Sequence, residues 1–140
     1  MEPSVYDLTY NDLNPRFLFC CNLLRTEPEM NYHCHDFIEF VLILKGKTTF
    51  RIDEKLYDVE EGSVILLNPG TYHQSLPAAG TSAREVYLAF SNVEFAGCTR
   101  GHFPLFKNYQ LLATLPDSYK EPLFRLCNLM EQESKPASGR

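Results

Sequence analysis

The stretch Asn31-Tyr32-His33-Cys34-His35-Asp36-Phe37-Ile38-Glu39-Phe40-Val41-Leu42-Ile43-Leu44 decides how this chain is read. His33 and His35 are two positions apart, so in an extended strand both imidazoles point to one face, and Glu39 keeps that parity. A segment that carries two imidazoles and a carboxylate on one face, and then runs into Phe40 to Leu44, aims its polar groups into an interior. Such groups need a partner or a purpose. His73 follows the tight-turn sequence Asn68-Pro69-Gly70-Thr71 and completes a set of His33, His35, Glu39 and His73.

Upstream, the unbroken apolar run from Phe17 to Leu24 reads as a strand buried on both faces, with Arg25 to Glu29 as its turn. Residues 1–15, polar and marked by Pro3, Asp12, Asn14 and Pro15, read as a surface arm. Downstream, Gly46 breaks the apolar run, and Thr48 to Ile52 and Leu56 to Val59 form a hairpin around Asp53-Glu54-Lys55. Ser63 to Leu67 reads as a buried strand and Ala83 to Phe90 as the last clear one. Short strands with turn signals roughly every eight to twelve residues argue for an antiparallel sandwich or barrel. From about Leu105 the pattern turns helical, with Leu123, Leu126, Cys127 and Met130 on one stripe and Ser118-x-x-Glu121 as a capping box before them. Pro122 blurs where that helix starts, and residues 134–140 look frayed.

At 140 residues the chain has room for one domain. Hydrophobic residues make up 44% and aromatics 13%, a globular composition. Thirteen Lys and Arg against eighteen Asp and Glu give a net charge of −5, and no basic run supplies a footprint for nucleic acid. Five cysteines, with no C-x-x-C spacing and an adjacent pair at Cys20-Cys21, read as reduced thiols. The N-terminus lacks the basic and apolar regions of a secretory signal, and no run approaches the length that spans a bilayer, so a cytoplasmic, membrane-free protein is expected.

Imidazoles with a carboxylate are a ligand set for Zn, Fe, Mn, Ni or Cu. They serve equally as hydrogen-bonded groups lining a cavity that holds water or an organic ligand. Residue types leave both readings open.

The spacing His33-x-His35-x3-Glu39-x6-Gly46 is similar to the first cupin motif, and Gly62-x10-His73 with Gly70 is similar to the second. Three positions depart from the pattern: Glu27 replaces a preceding glycine, Asn68 stands where the second motif carries proline, and Pro77 takes a trailing Asn position. Across roughly residues 15–95 the chain resembles the sensor domain of AraC-family transcription regulators. The resemblance implies a mainly β fold, a cupin-type double-stranded β-helix (jelly-roll barrel) over 16–100, followed by a C-terminal α-helical segment over 101–140 that serves as a dimerisation element. It implies a bacterial small-molecule-sensing domain that dimerises, with the helix-turn-helix that reads DNA lying in a downstream domain outside this chain.

Under that reading the chain is not an enzyme and no cofactor is expected. The alternative is a small metal-dependent cupin dioxygenase or isomerase, with Zn, Fe, Mn or Ni on His33, His35, Glu39 and His73 and an open position for substrate. Its acid–base candidates are few: Glu85, Tyr87 and Tyr72. Glu85 and Tyr87 share one face of the last strand, a choice a dry core would not make, so that face meets either solvent or a polar cavity; the resemblance to AraC-type sensors, in which the equivalent strand lines the ligand site, implies the cavity and places both in the ligand-binding set. Phe17, Phe19 and Phe50 are expected in the core, and Cys34 faces away from the histidines. Aromatic and hydrogen-bonding side chains suit a carbohydrate effector and suit other small polar metabolites as well.

Overall fold

The structure, a computed structural model, describes residues 13–95, 97–112 and 115–134. Among these, β1 (Leu13–Arg25), β2 (Ile38–Ile52), β3 (Lys55–Glu60), β4 (Val64–Leu67), β5 (His73–Ser75), β6 (Ala83–Val93) and β7 (Tyr109–Leu112) precede a single helix, α1 (Asp117–Ser134). Every pairing is antiparallel.

The long β2 organises the barrel. Its first half lies between β6 and β4, in the order β1-β6-β2-β4-β7, and its second half lies between β3 and β5. Gly46 sits between the halves at φ +78°, and a Cβ there would run into the Ser82 carbonyl oxygen. Only glycine combines that dihedral with that approach. The expected break at Gly46 is therefore a bend, through which one strand passes from sheet to sheet. At its end, Asp53 (φ 49°) and Glu54 (φ 72°) form the two-residue turn whose twist suits a hairpin.

The sheets enclose an apolar interior of Val41, Ile43, Phe50, Ile52, Ile65 and Leu67, against which Phe19, Cys21 and Leu23 of β1 pack. Tyr57 and Tyr109, hydroxyl to hydroxyl at 2.5 Å, tie β3 to β7 across a seam with no backbone ladder. This is the mainly β barrel with a C-terminal helix implied by the motifs.

α1 lies on the outer face, over Cys20, Leu42, Val86 and Leu88. The Cys20 thiol donates to the Cys127 carbonyl at 3.4 Å, and the Asn22 amide donates to the Glu131 carboxylate at 2.8 Å. Burial pushes the Cys20 thiol up to about 12, so it stays protonated beneath the helix. All five cysteines are free thiols.

Several expectations change. Residues 1–12 of the expected arm lie outside the described residues, and Leu13 to Pro15 open β1. β1 is a sheet edge rather than a strand buried on both faces: Leu18 and Leu24 are 39% and 52% exposed, because α1 covers only part of its outer side. Between Leu105 and the helix the chain first adds β7 to β4. α1 starts at Asp117, so Ser118 lies inside the first turn rather than capping it, and Glu121 pairs with Arg125 at 3.0 Å. Leu123, Cys127 and Met130 turn inward onto the sheet, while Leu126 points out. Among the described residues no helix is long and apolar enough to cross a membrane.

Candidate functional site

His33 and His73 are joined backbone to backbone, the His33 amide donating to the His73 carbonyl at 3.1 Å and the His73 amide returning the bond at 2.8 Å. The Gly70 amide donates to the His35 carbonyl at 2.8 Å, which fastens the 68–71 turn beside the first motif. Asn68 secures that turn from the other side: its Nδ2 donates to the Phe103 carbonyl and its Oδ1 accepts from the Phe103 amide, at 3.1 and 2.8 Å. The segment holding His33 and His35 is therefore not a regular strand, since β2 begins only at Ile38. Cross-links to His73 and Gly70 align the rings.

The outcome still gathers all four expected residues. The ring centroids of His33, His35 and His73 lie 4.5–5.3 Å apart, and their candidate ligand nitrogens all lie within 4.8 Å of one another. Glu39, 3% exposed, sets its Oε1 3.1 Å from His73 Nε2 and its Oε2 3.8 Å from His35 Nε2. His73 is 1% exposed, and His33 and His35 are half-buried. His33 Nδ1 lies 2.8 Å from the Asn31 carbonyl and His73 Nδ1 2.9 Å from that of Thr71. A carbonyl only accepts, so each Nδ1 carries the proton, and in the neutral ring Nε2 is left as a lone pair facing the cluster.

That arrangement leaves His73 Nε2 and Glu39 Oε1 buried without a hydrogen-bond partner. They stand at ion-pair distance but outside hydrogen-bond geometry. Burial disfavours the charged form of His73, yet the Glu39 carboxylate outweighs it and holds the imidazole above its ordinary pKa. At His35 burial wins over Glu39, and the pKa is lowered. The two rings are thereby tuned apart around one carboxylate.

A second polar group extends the site along the interior. Glu85, fully buried, accepts from Arg25 Nε at 3.3 Å and Tyr87 hydroxyl at 2.6 Å through Oε1, and from Ser75 hydroxyl at 2.6 Å through Oε2. Because the Ser75 proton goes to Glu85, Thr48 is the donor in the 3.0 Å bond between their hydroxyls. Burial, then the Glu85 charge, drives the Tyr87 pKa far up and keeps its hydroxyl a donor. Glu29 links the clusters, lying 3.5 Å from Arg25 and 4.0 Å from His33, while its Oε1 accepts from the Ser75 amide at 2.8 Å.

The sequence thus placed Glu85 and Tyr87 on the correct face, and both are buried. It missed Arg25, Glu29 and Ser75: the first two sit in a segment read only as a turn, and β5 is too short to show a pattern. Their one signal was the i,i+4 spacing of opposite charges. Tyr72 is 50% exposed and packs outside against Tyr32, the rings tilted 45° to each other, so it lies away from the cluster as an acid or base. Phe50 is core, as expected. An open cleft of about 650 Å³, lined by Cys34, His35, Asp36 and Phe37, reaches His35 from the surface.

The family model for the AraC-like ligand binding domain matches residues 19–139. The HTH-type transcriptional regulator YdeC of Bacillus subtilis (strain 168), itself uncharacterized, is 39% identical over 59 residues, 42% of this chain and 20% of that protein. Two structures of ToxT from Vibrio cholerae superpose. One, with an unsaturated fatty acid bound, covers 90% of this chain and 50% of ToxT at TM-score 0.57 and 15% identity. The other covers 78% and 47% at TM-score 0.51 and 9% identity. A cupin protein from Bacteroides fragilis aligns over 69% of this chain and 75% of its own, at TM-score 0.44 and 18% identity.

Proposed function

This chain belongs to the AraC-like ligand binding domain family, and on that premise we propose that it senses a small polar effector inside its barrel for a bacterial transcription regulator. His33, His35, Glu39, His73, Glu85 and Tyr87 form the ligand-binding set, with Arg25, Glu29 and Ser75 holding it in place. The observation that carries the reading is the pair of buried, unpartnered atoms His73 Nε2 and Glu39 Oε1 beside a satisfied Glu85 network. With His73 neutral, its Nε2 lone pair and the carboxylate oxygen 3.1 Å away both accept from a donor such as a ligand hydroxyl, which suits a carbohydrate. ToxT with a fatty acid bound supports a small molecule as the effector type in general. The matched stretch is 20% of an HTH-type regulator, which supports DNA reading by a separate domain. A protein of this kind works in the cytoplasm and is not an enzyme.

Melting the protein with a panel of sugars and small polar metabolites tests the proposal. The effector raises the melting temperature by mass action, and His73→Ala abolishes that rise. A rise that survives in His73→Ala places the ligand elsewhere and defeats the assignment.

One observation favours a second reading. Three imidazoles whose candidate ligand atoms lie within 4.8 Å of one another, two of them fixed by Nδ1 bonds to carbonyls, are a donor set for Zn, Fe, Mn or Ni that would have to draw together around the ion; Glu39 lies outside that group of three but 3.1 Å from His73 Nε2, and would be the fourth ligand. Such an ion would supply Lewis acidity, and the chain would then be a cupin dioxygenase or isomerase in which Glu85, Tyr87 and Arg25 orient substrate.

The domain is further proposed to form a homodimer through α1. Tyr119, Leu126 and Leu129 are 58%, 54% and 57% exposed along the flank of the helix, beside the stripe buried on the sheet. Light scattering across a concentration series should show a dimer that Leu126→Asp disperses; a monomer at every concentration, unchanged by the substitution, removes α1 as the interface.

A further inference from the structure

A second cavity lies outside the barrel, between the first half of α1 and the outer face of the sheet, with a volume of about 530 Å³. It exists because α1 is pinned at two places. The Leu115 amide donates to the Gly62 carbonyl at 2.9 Å before the helix, and Cys127 and Glu131 hold its second half to β1. Between these points the helix stands off the sheet, and the floor and wall are Leu42, Leu44, Leu115, Leu123 and Phe124.

The charges on the rim are uneven. Glu61 is paired with Lys120 at 3.2 Å and Glu121 with Arg125 at 3.0 Å. Lys45 and Arg84, which also line the cavity, are directly opposite one another across β2 and β6, next to a bulge between Ile43 and Lys45. Like charges in that position repel, and bulges commonly re-aim side chains at sites. Among the described residues neither has a carboxylate partner, and Arg84 makes only a 3.4 Å bond to Asn22.

An apolar slot of small-molecule size with two cations at its sheet end and no free acid calls for one kind of occupant. We propose that this cavity binds an amphipathic organic anion, its apolar body on Leu42, Leu44 and Phe124 and its carboxylate between Lys45 and Arg84. The ligand would bridge α1 to the sheet at a place independent of the barrel cluster.

The chain has no tryptophan, so Phe124→Trp puts a single reporter in the slot. Sodium decanoate, below its micelle concentration, is titrated into that variant by fluorescence and into the wild type by calorimetry. The expected result is one saturable site with a blue shift of the emission. Decanol, and the Lys45→Gln/Arg84→Gln variant with decanoate, bind at least about tenfold more weakly, as loss of charged hydrogen bonds requires. That variant melts without ligand at or above the wild-type temperature, since it relieves the repulsion, and His35→Ala keeps full decanoate affinity, which separates this site from the barrel. Equal binding of decanoate and decanol, or no saturation by either method, overturns the proposal. So does loss of binding in His35→Ala, or a blue shift driven by protein concentration alone, which would make a second copy of the chain the occupant.

Discussion

Glu85→Ala should cost about 3–5 kcal/mol in a urea titration, the range for removing one partner of a buried charged network. The carboxylate is the acceptor for three groups at once, Arg25, Tyr87 and Ser75, and it is fully buried. Truncation leaves a guanidinium and two hydroxyls facing a hole in an apolar interior, with the Arg25 head partly able to reach water. Glu85→Gln keeps the shape and can still accept through one oxygen, so it should recover part of the loss. A cost under about 1 kcal/mol for Glu85→Ala would mean that the interior is wet enough to solvate the orphaned donors.

Phe50→Ala should be as damaging, about 3–5 kcal/mol, through lost transfer energy and the cavity left behind. The ring is fully buried on the second half of β2, amid Val41, Ile43, Ile52, Val59 and Ile65, so both halves of the barrel lose contact together. His35→Ala should cost clearly less. Its ring is half-buried, stacks on Phe37 at 4.6 Å and borders an open cleft that water can enter. Equal losses at the two positions in the same denaturant series would make His35 a structural residue and undo its assignment to the site.

The four-residue cluster was legible in the sequence because its spacing survives a change of mechanism. His33 and His35 are brought together by a bridge to His73 and a turn at Gly70, and the alternation argument reached the same grouping by assuming a strand. Glu85 and Tyr87 were legible because β6 is regular and its pleat fixes which side chains face in. What was hidden depends on tertiary neighbours. The apolar run of β1 does not reveal that its outer face is roofed only in part by α1. Pro15 looks like a breaker, yet it falls inside β1 where the register shifts between Leu13 and Arg16, at a position where no ladder bond is demanded of it. β5 and β7, of three and four residues, are too short for periodicity to register. The α1 stripe misled for a related reason: Leu123 and Cys127 serve the sheet, and the outward side is carried by Tyr119 and Leu129, which the spacing did not single out.

If the His33, His35, Glu39 and His73 cluster takes an organic effector rather than a resident metal, elemental analysis of protein purified without an affinity tag will show it. The expected result is metal well below one equivalent, together with a melting temperature that chelator leaves unchanged. One full equivalent of iron, manganese, nickel or zinc, lost along with stability in His33→Ala and His73→Ala, would contradict it and put the cupin enzyme in its place.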